Sequence, residues 1–412
     1  MDRTPPPHPA PPPLRRVGVV TAFPPGRNSL NEFGFHLVTH LADNPSLDRV
    51  VVFADKTDEG PPATLPGTEA IGCWKFNDVR NPARILQAVK RSKVDAVIMN
   101  LQFATFGDQR IAGGMGLLTP ALLSRAGIPT GVILHNLVEN VDMQDAGFAG
   151  SKLMARIMDT AGTALTKVML QADYVALTIP RYVELLRERY GANNALLTPH
   201  GSFEEIDEPL FGIPGRGPRR ILAFGKWGTY KTVDVLVDAY RDLLQRGYTD
   251  LELVIAGTDS PNSPGYLASV EQGCADLDSV VFTGYVEEDD VAELFTSAAV
   301  TAFPYTSTTG SSGVLHQAGS YGRAAVLPSI GDFVEVIEEE GFVGMYFEPG
   351  DPRSLADALV KMLDDDALTT EHGHQNYLAA SGIPMGEVID WHLLHLGEAM
   401  SRRIQTTPST DA

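Results

Sequence analysis

Two lysines five positions apart, Lys226 and Lys231, stand in the segment Phe224-Gly225-Lys226-Trp227-Gly228-Thr229-Tyr230-Lys231-Thr232. Glycine lets backbone approach a ligand closely, a helix start offers free N–H groups, and two ammonium groups can flank an anion placed there. The order is not that of a Walker loop, because Gly-x4-Gly-Lys-Ser/Thr is missing. Surface lysines are usually only solvated, and that reading competes with the chemical one. The charge along the chain bears on the choice. Residues 1–205 carry 20 Lys/Arg against 20 Asp/Glu, whereas residues 206–412 carry 12 against 32, so the whole formal charge of -20 lies in the second half. Such a field argues against nucleic acid as a partner, since binding a phosphate backbone draws on clustered Lys/Arg. Most of the acidic groups are accounted for as a solvated surface. Among so few cations, phosphate is the natural ligand of Lys226 and Lys231.

A second candidate is Pro304-Tyr305-Thr306-Ser307-Thr308-Thr309-Gly310-Ser311-Ser312-Gly313-Val314-Leu315-His316-Gln317-Ala318. Small hydroxyl residues and glycines leading into a helix can give backbone donors to an anion while side chains bond sugar hydroxyls. The alternative is a flexible linker, against which Val314, Leu315, Ala318 and Tyr321 already read as the apolar face of a packed helix. His135 ends the apolar run of residues 130–134, where it can bond substrate or serve the structure. The loop of residues 23–33 leads into a helix with small and polar residues; it lacks GxGxxG, which disfavours a nicotinamide cofactor. Residues 152–171 form an amphipathic helical pattern that either packs on the core or docks a lipid-linked acceptor or a membrane surface.

The elements that must position these residues follow from hydrophobic patterning. Residues 1–14 hold seven prolines and read as a disordered tail without the apolar core of a signal peptide. Short β-branched runs at 17–20, 50–53, 94–99, 130–134 and 174–178 then alternate with amphipathic segments, the pattern of a doubly wound parallel α/β domain. The Gly/Pro/Arg-rich stretch 212–218 suits a linker, after which strands at 220–224, 251–256, 280–283, 300–303, 324–327 and 344–347 repeat the pattern. The expected organisation is a Rossmann-like acceptor domain over 15–211, a second Rossmann-like domain over 219–385, and a helix over 386–404 that crosses back. Two such domains face each other across a cleft at the carboxyl ends of their strands, where open α/β sheets bind ligands. No apolar run approaches the ~20 residues that span a bilayer, so the chain is not expected to be transmembrane. Cys73 and Cys274 carry no CxxC or zinc spacing, which fits a reducing, cytoplasmic compartment.

In this order the segments resemble the retaining nucleotide-sugar glycosyltransferases of family 4, which have the GT-B architecture, over nearly the whole chain. The matching pieces are the Pro24-Pro25 loop, His135, Leu197-Thr198-Pro199-His200-Gly201, Gly225-Lys226 with Lys231, Ile255-Ala256-Gly257, Phe282-Thr283-Gly284-Tyr285-Val286, Ala318-Gly319-Ser320-Tyr321-Gly322-Arg323, and Gly350-Asp351-Pro352. The resemblance implies that Lys226 and Lys231 hold the donor pyrophosphate beside Gly225 and stabilise the leaving nucleotide. It implies that Gly310, Ser311, Ser312, Gly313 and Val314 offer backbone N–H groups to the distal phosphate and sugar. His135 would contact the transferred sugar, and Gly284, Tyr285 and Val286 would lie near the nucleobase. No cofactor or metal is implied beyond the nucleotide sugar itself, UDP- or GDP-linked.

Three positions depart from the family pattern. Its Glu-x7-Glu pair falls on Thr309 and Gln317, its first-loop Gly-Gly on Ser29-Leu30, and its Gly-Arg on Gly225-Lys226. Thr and Gln still bond a sugar and a ribose hydroxyl, but without charge assistance, and Lys keeps the charge of Arg without its fork. The expected function is retaining transfer of a hexosyl group to an acceptor hydroxyl on a glycan, a small molecule or a lipid-linked acceptor. A catalytically silent GT-B subunit that binds nucleotide sugar is the alternative raised by Thr309 and Gln317. A nucleotide-sugar 2-epimerase of the same architecture would need acid–base carboxylates, which these loops supply sparsely.

Overall fold

The computed structural model describes residues 13–26, 30–136, 162–204, 206–207, 209–215, 217–260, 263–307 and 312–406. They fall into two compact units, one within residues 1–198 and 386–412, the other residues 199–385. Among the described residues no helix is long and apolar enough to cross a membrane, and no cluster of His, Cys, Asp or Glu is placed to hold a metal ion.

The first unit is a parallel sheet of seven strands: β1 (Arg16–Thr21), β2 (Arg49–Asp55), β3 (Thr68–Trp74), β4 (Ala96–Leu101), β5 (Thr130–Leu134), β6 (Tyr174–Leu177) and β7 (Ala195–Leu197), in the order β3-β2-β1-β4-β5-β6-β7. The central strands carry continuous Val/Ile/Leu runs because both faces are covered, and Val17, Val52, Ile98 and Val132 are fully buried. The sequence pattern misses both edge strands. In β3 only Cys73 and Trp74 are buried, so no apolar run marks it; Trp74 fixes it by donating its indole N–H to the Phe53 carbonyl at 2.9 Å. β7 has three residues, too few for a pattern.

The helix Met385–Thr406 enters the first unit from Gly386 onward. Tyr174 of β6 stacks on His392 with ring centroids 5.8 Å apart and meets Trp391 edge-on at 5.8 Å, and its hydroxyl lies 3.0 Å from His392 Nδ1. Further along, the Arg403 guanidinium donates to both Asp173 oxygens and to Ser124. Of the amphipathic pattern at 152–171, residues up to 161 lie outside those described; beyond it Thr166 and Met169 are buried.

The second unit has six parallel strands: β8 (Arg219–Trp227), β9 (Leu251–Asp259), β10 (Val280–Gly284), β11 (Ala298–Ala302), β12 (Ala325–Pro328) and β13 (Met345–Phe347), in the order β10-β9-β8-β11-β12-β13. The chain changes unit at Thr198/Pro199, ahead of the Gly/Pro-rich stretch. Part of that stretch is held rather than free: Gly212 O accepts from the buried Arg323 guanidinium at 3.2 Å, and Ile213 N donates to Asp366 at 2.9 Å. Arg323 also donates to the Tyr321 and Ala298 carbonyls at 3.0 and 2.9 Å. Burial without a carboxylate partner lowers its pKa to about 10.

Candidate functional site

In each sheet the strand order reverses once, between β1 and β4 and between β8 and β11. Open α/β sheets bind ligands outside the carboxyl ends of the strands at such a reversal. In the second unit the two loops that meet there are those after β8 and β11, the two singled out by composition.

Sequence spacing puts Gly225-Lys226-Trp227 in a loop, but these residues extend β8. The strand runs on because Gly225, Lys226 and Trp227 keep register with Gly257, Thr258 and Asp259 of β9. Trp227 is fully buried and its indole N–H donates to the Ala256 carbonyl at 2.9 Å. Gly257 makes the close pairing possible: its φ is +108°, and a Cβ there would lie 1.9 Å from the Gly225 carbonyl oxygen. Lys226 is thus an exposed side chain on a strand end anchored by its neighbours.

The chain then turns, with Gly228 N donating to Lys231 O at 2.8 Å. Lys231 forms an antiparallel bridge with Tyr305, and Thr306 N donates to Tyr230 O at 2.9 Å. These bonds join the lysine loop to the loop after β11. Lys231 Nζ sits 4.5 Å from the Tyr305 ring centroid, a cation–π contact that holds the ammonium over an immobile face. Tyr305 is buried and its hydroxyl has no hydrogen-bond partner among the described residues.

The helix Gly313–Ser320 begins beside this contact. Ser312 precedes it in an extended conformation; its hydroxyl makes no capping bond and is buried without a partner among the described residues. A hydroxyl and the N–H groups of a helix's first turn at one place are donors an anion can use. Val314 is half-buried against the core of this unit and Gln317 is buried. Thr309, Gly310 and Ser311 of this loop, and Ser29 of the first unit, lie outside the described residues.

Four residues meet this helix from distant stretches, and of them only His200 stood in a segment the sequence singled out. The Gln317 amide donates to Glu204 Oε1 at 3.4 Å. His316 bonds Ser202 Oγ through Nδ1 and Glu340 Oε2 through Nε2, both at 3.1 Å, and stacks on His200 with centroids 5.1 Å apart. With Ser202 and His316 at most 2% exposed, this Ser–His–Glu chain fixes the helix rather than meeting solvent. Gly284 and Tyr285 are exposed at the end of the edge strand β10, with Val286 packed under them.

His135 belongs to the first unit. It follows β5, its backbone N–H bonds the Leu101 carbonyl at 3.0 Å, and Phe33 lies edge-on to its ring at 4.6 Å.

Comparison with known proteins bears on the segment that holds these loops. Residues 218–365 match the family model described as glycosyl transferases group 1. That segment is the second unit from β8 into the helix Pro352–Asp364. Over 148 residues, 36% of its length, the chain is 30% identical to an uncharacterized glycosyltransferase of Methanocaldococcus jannaschii; the match covers 36% of that relative, about a third of its length. Sucrose-phosphate synthase from Thermosynechococcus elongatus superposes with a TM-score of 0.69 over 95% of this chain and all of that one, at 17% identity. HepE of Anabaena, in complex with UDP and glucose, gives 0.65 over 93% of this chain and all of that one, at 15% identity. WaaG, a glycosyltransferase of lipopolysaccharide biosynthesis, gives 0.65 over 92% and 98% of the two chains, at 13% identity. The chain has the two Rossmann-like units of the GT-B fold.

Proposed function

We propose that the protein is a retaining glycosyltransferase that moves a hexosyl group from a nucleoside diphosphate sugar to an acceptor hydroxyl. The observation that carries this reading is the joining of the Lys226–Lys231 segment to the loop after β11, at the strand-order reversal of the stretch that matches the glycosyl transferases group 1 model. The solved structures of HepE with UDP and with UDP-glucose support UDP as the first nucleotide to try, with GDP next.

In this reading Lys226 and Lys231 face the diphosphate, and Ser312 with the first-turn N–H groups of the following helix binds its distal end. The bond from the anomeric carbon to the phosphate oxygen breaks as the acceptor oxygen bonds that carbon on the same face. The acceptor proton passes to the departing phosphate oxygen. The developing charge falls on ammonium groups already in place, which lowers the barrier without reorganisation. With two fixed cations on the diphosphate, donor turnover is expected to persist in excess chelator; loss of turnover that magnesium restores would refute metal independence.

The test of donor binding is calorimetric titration of UDP and GDP into the wild type and into Lys231→Met. The expected result is binding of one of them that weakens at least ~10-fold in the variant, about 1.4 kcal/mol. Equal affinity for both proteins would sink the assignment. A second reading, a silent subunit that binds nucleotide sugar without turning it over, is favoured by one observation: a neutral amide stands at Gln317, beside Glu204. Detection of transfer or donor hydrolysis by the purified protein removes it.

A further inference from the structure

The first unit carries a stretch that is both cationic and apolar at its surface, in a chain that is acidic as a whole. Residues 75–125 hold eight Lys/Arg against three Asp/Glu, a net of +5 where the full chain has -20. The three carboxylates are engaged inside the fold. Asp78 Oδ2 pairs with Arg80 and Arg84 at 3.0 and 2.7 Å, Asp95 Oδ2 accepts from the backbone N–H groups of Arg15 and Arg16, and Asp108 Oδ1 accepts from the Asn77 amide. Lys75, Lys90, Arg91 and Lys93 are exposed and form no ion pair among the described residues.

The same stretch concentrates exposed apolar side chains. Of the thirteen large hydrophobic residues exposed among those described, five (Phe76, Val79, Phe103, Ile111 and Met115) lie between positions 76 and 115. Local bonds hold them in place. Asn77, in a left-handed turn at φ +60°, donates its N–H to the Phe106 carbonyl at 2.8 Å and accepts from Gln109 N at 3.1 Å. These bonds tie the loop that bears Phe76 and Val79 to the one leading into the helix Arg110–Gly116. Ile111 and Met115 stand four positions apart on that helix and so share a side, with Ile111 75% exposed. The helix Asn81–Ser92 packs beside it. A shallow depression on the outside of that helix is lined by Ala83, Leu86, Gln87, Lys90 and Arg91, an apolar strip that ends in two cations.

Exposed apolar residues scattered singly need no explanation. Here they are clustered, held by the backbone and interleaved with cations that no carboxylate neutralises. That is the composition of a surface lying on a bilayer, where apolar groups enter the boundary between headgroups and acyl chains and cations meet the lipid phosphates. We propose that this face of the first unit docks the protein peripherally on an anionic lipid bilayer. A nucleic acid would use the cations and leave Phe76, Ile111 and Met115 in water; an anionic bilayer uses both. Docking does not depend on the transfer reaction proposed above.

The test is co-sedimentation of the full chain with vesicles of phosphatidylcholine alone and of phosphatidylcholine with about 30% phosphatidylglycerol. The wild type is expected to partition at least ~10-fold more strongly onto the anionic vesicles, with the gain lost as salt is raised toward ~0.5 M. Lys90→Glu/Arg91→Glu is expected to lower that partition at least ~10-fold, and Ile111→Ser/Met115→Ser several-fold. All four side chains are exposed, so urea midpoints are expected to stay at the wild-type value. Arg353→Glu/Lys361→Glu makes the same change of charge at exposed positions of the second unit and is expected to leave partition unchanged. An equal loss in that control would reduce binding to net charge and overturn the assignment of the surface. Absence of binding, equal binding to both vesicles, or no effect of Ile111→Ser/Met115→Ser would overturn the proposal, as would retention on duplex DNA in place of vesicles.

Discussion

At Lys231 the ammonium is held by an aromatic face, and the neighbouring tyrosine hydroxyl contributes nothing to holding it. Tyr305 OH is buried without a partner among the described residues, and an unpaired buried polar group costs about 1–3 kcal/mol. Tyr305→Phe is therefore expected to leave thermal stability equal or raised and donor KM near wild type. Tyr305→Leu, which removes the ring 4.5 Å from Lys231 Nζ, is expected to raise donor KM several-fold; equal KM values in the two variants would dismiss the ring as a holder of the lysine. Gln317 has its own logic. A glutamate there would set a second carboxylate against Glu204, now 3.4 Å from the amide, and like charges that close oppose joint ionisation. Gln317→Glu is expected to destabilise the second unit by about 1–3 kcal/mol at pH 7, with Glu204→Gln restoring the loss. Urea unfolding followed at the buried Trp227 reports it, and additive effects of the two substitutions would contradict the coupling.

The strands and helices show which parts of the site were legible beforehand. Each of the six strands of the second unit overlaps a largely apolar run that the pattern picks out, although β13 has no β-branched residue and β10 is mostly exposed. Gly350-Asp351-Pro352, quoted above only as part of a resemblance, is a helix start: Asp351 Oδ1 accepts from the N–H groups of Arg353 and Ser354 at 2.9 and 3.1 Å, with Pro352 at the first helical position. What stayed hidden depends on pairing. The extension of β8 through Lys226 is dictated by the opposite strand, and Asn100, whose amide oxygen lies 2.7 Å from His135 Nε2, sits inside an apolar run where nothing local marks it as a partner. The pairing itself can be tested at Gly257. Gly257→Ala puts a methyl against the Gly225 carbonyl and is expected to cost about 2 kcal/mol or more, seen as a lower urea midpoint at Trp227; an unchanged midpoint would mean that the strand ends part freely.

At the scale of the molecule, the chain builds one Rossmann-like unit from a continuous stretch and completes the other with its last long helix. That helix brings a buried histidine with it. Burial, aided by His395, lowers the His392 pKa to about 3, and burial, aided by His40, lowers that of His36 to about 4. In the unfolded chain both titrate near 6.5. Below that value the unfolded state binds protons the folded state refuses, so stability is full above pH 6.5 and falls as pH drops toward 4 and then 3. The first unit is expected to lose urea resistance between pH 6.5 and 4.5, with Trp391 fluorescence as the probe and His36→Gln flattening the slope. A midpoint constant over that range would contradict the burial of these rings.

The charge distribution completes the picture. The acidic residues crowd the half of the chain that carries Lys226 and Lys231, so a diphosphate there must be held by local contacts against an unfavourable field. The most direct measurement is release of nucleoside diphosphate from a panel of UDP-, GDP- and ADP-sugars by the purified chain and by the Lys226→Ala/Lys231→Ala variant. The account predicts release from one donor class by wild type, reduced at least ~100-fold in the double variant. Turnover that the double variant retains in full would contradict it.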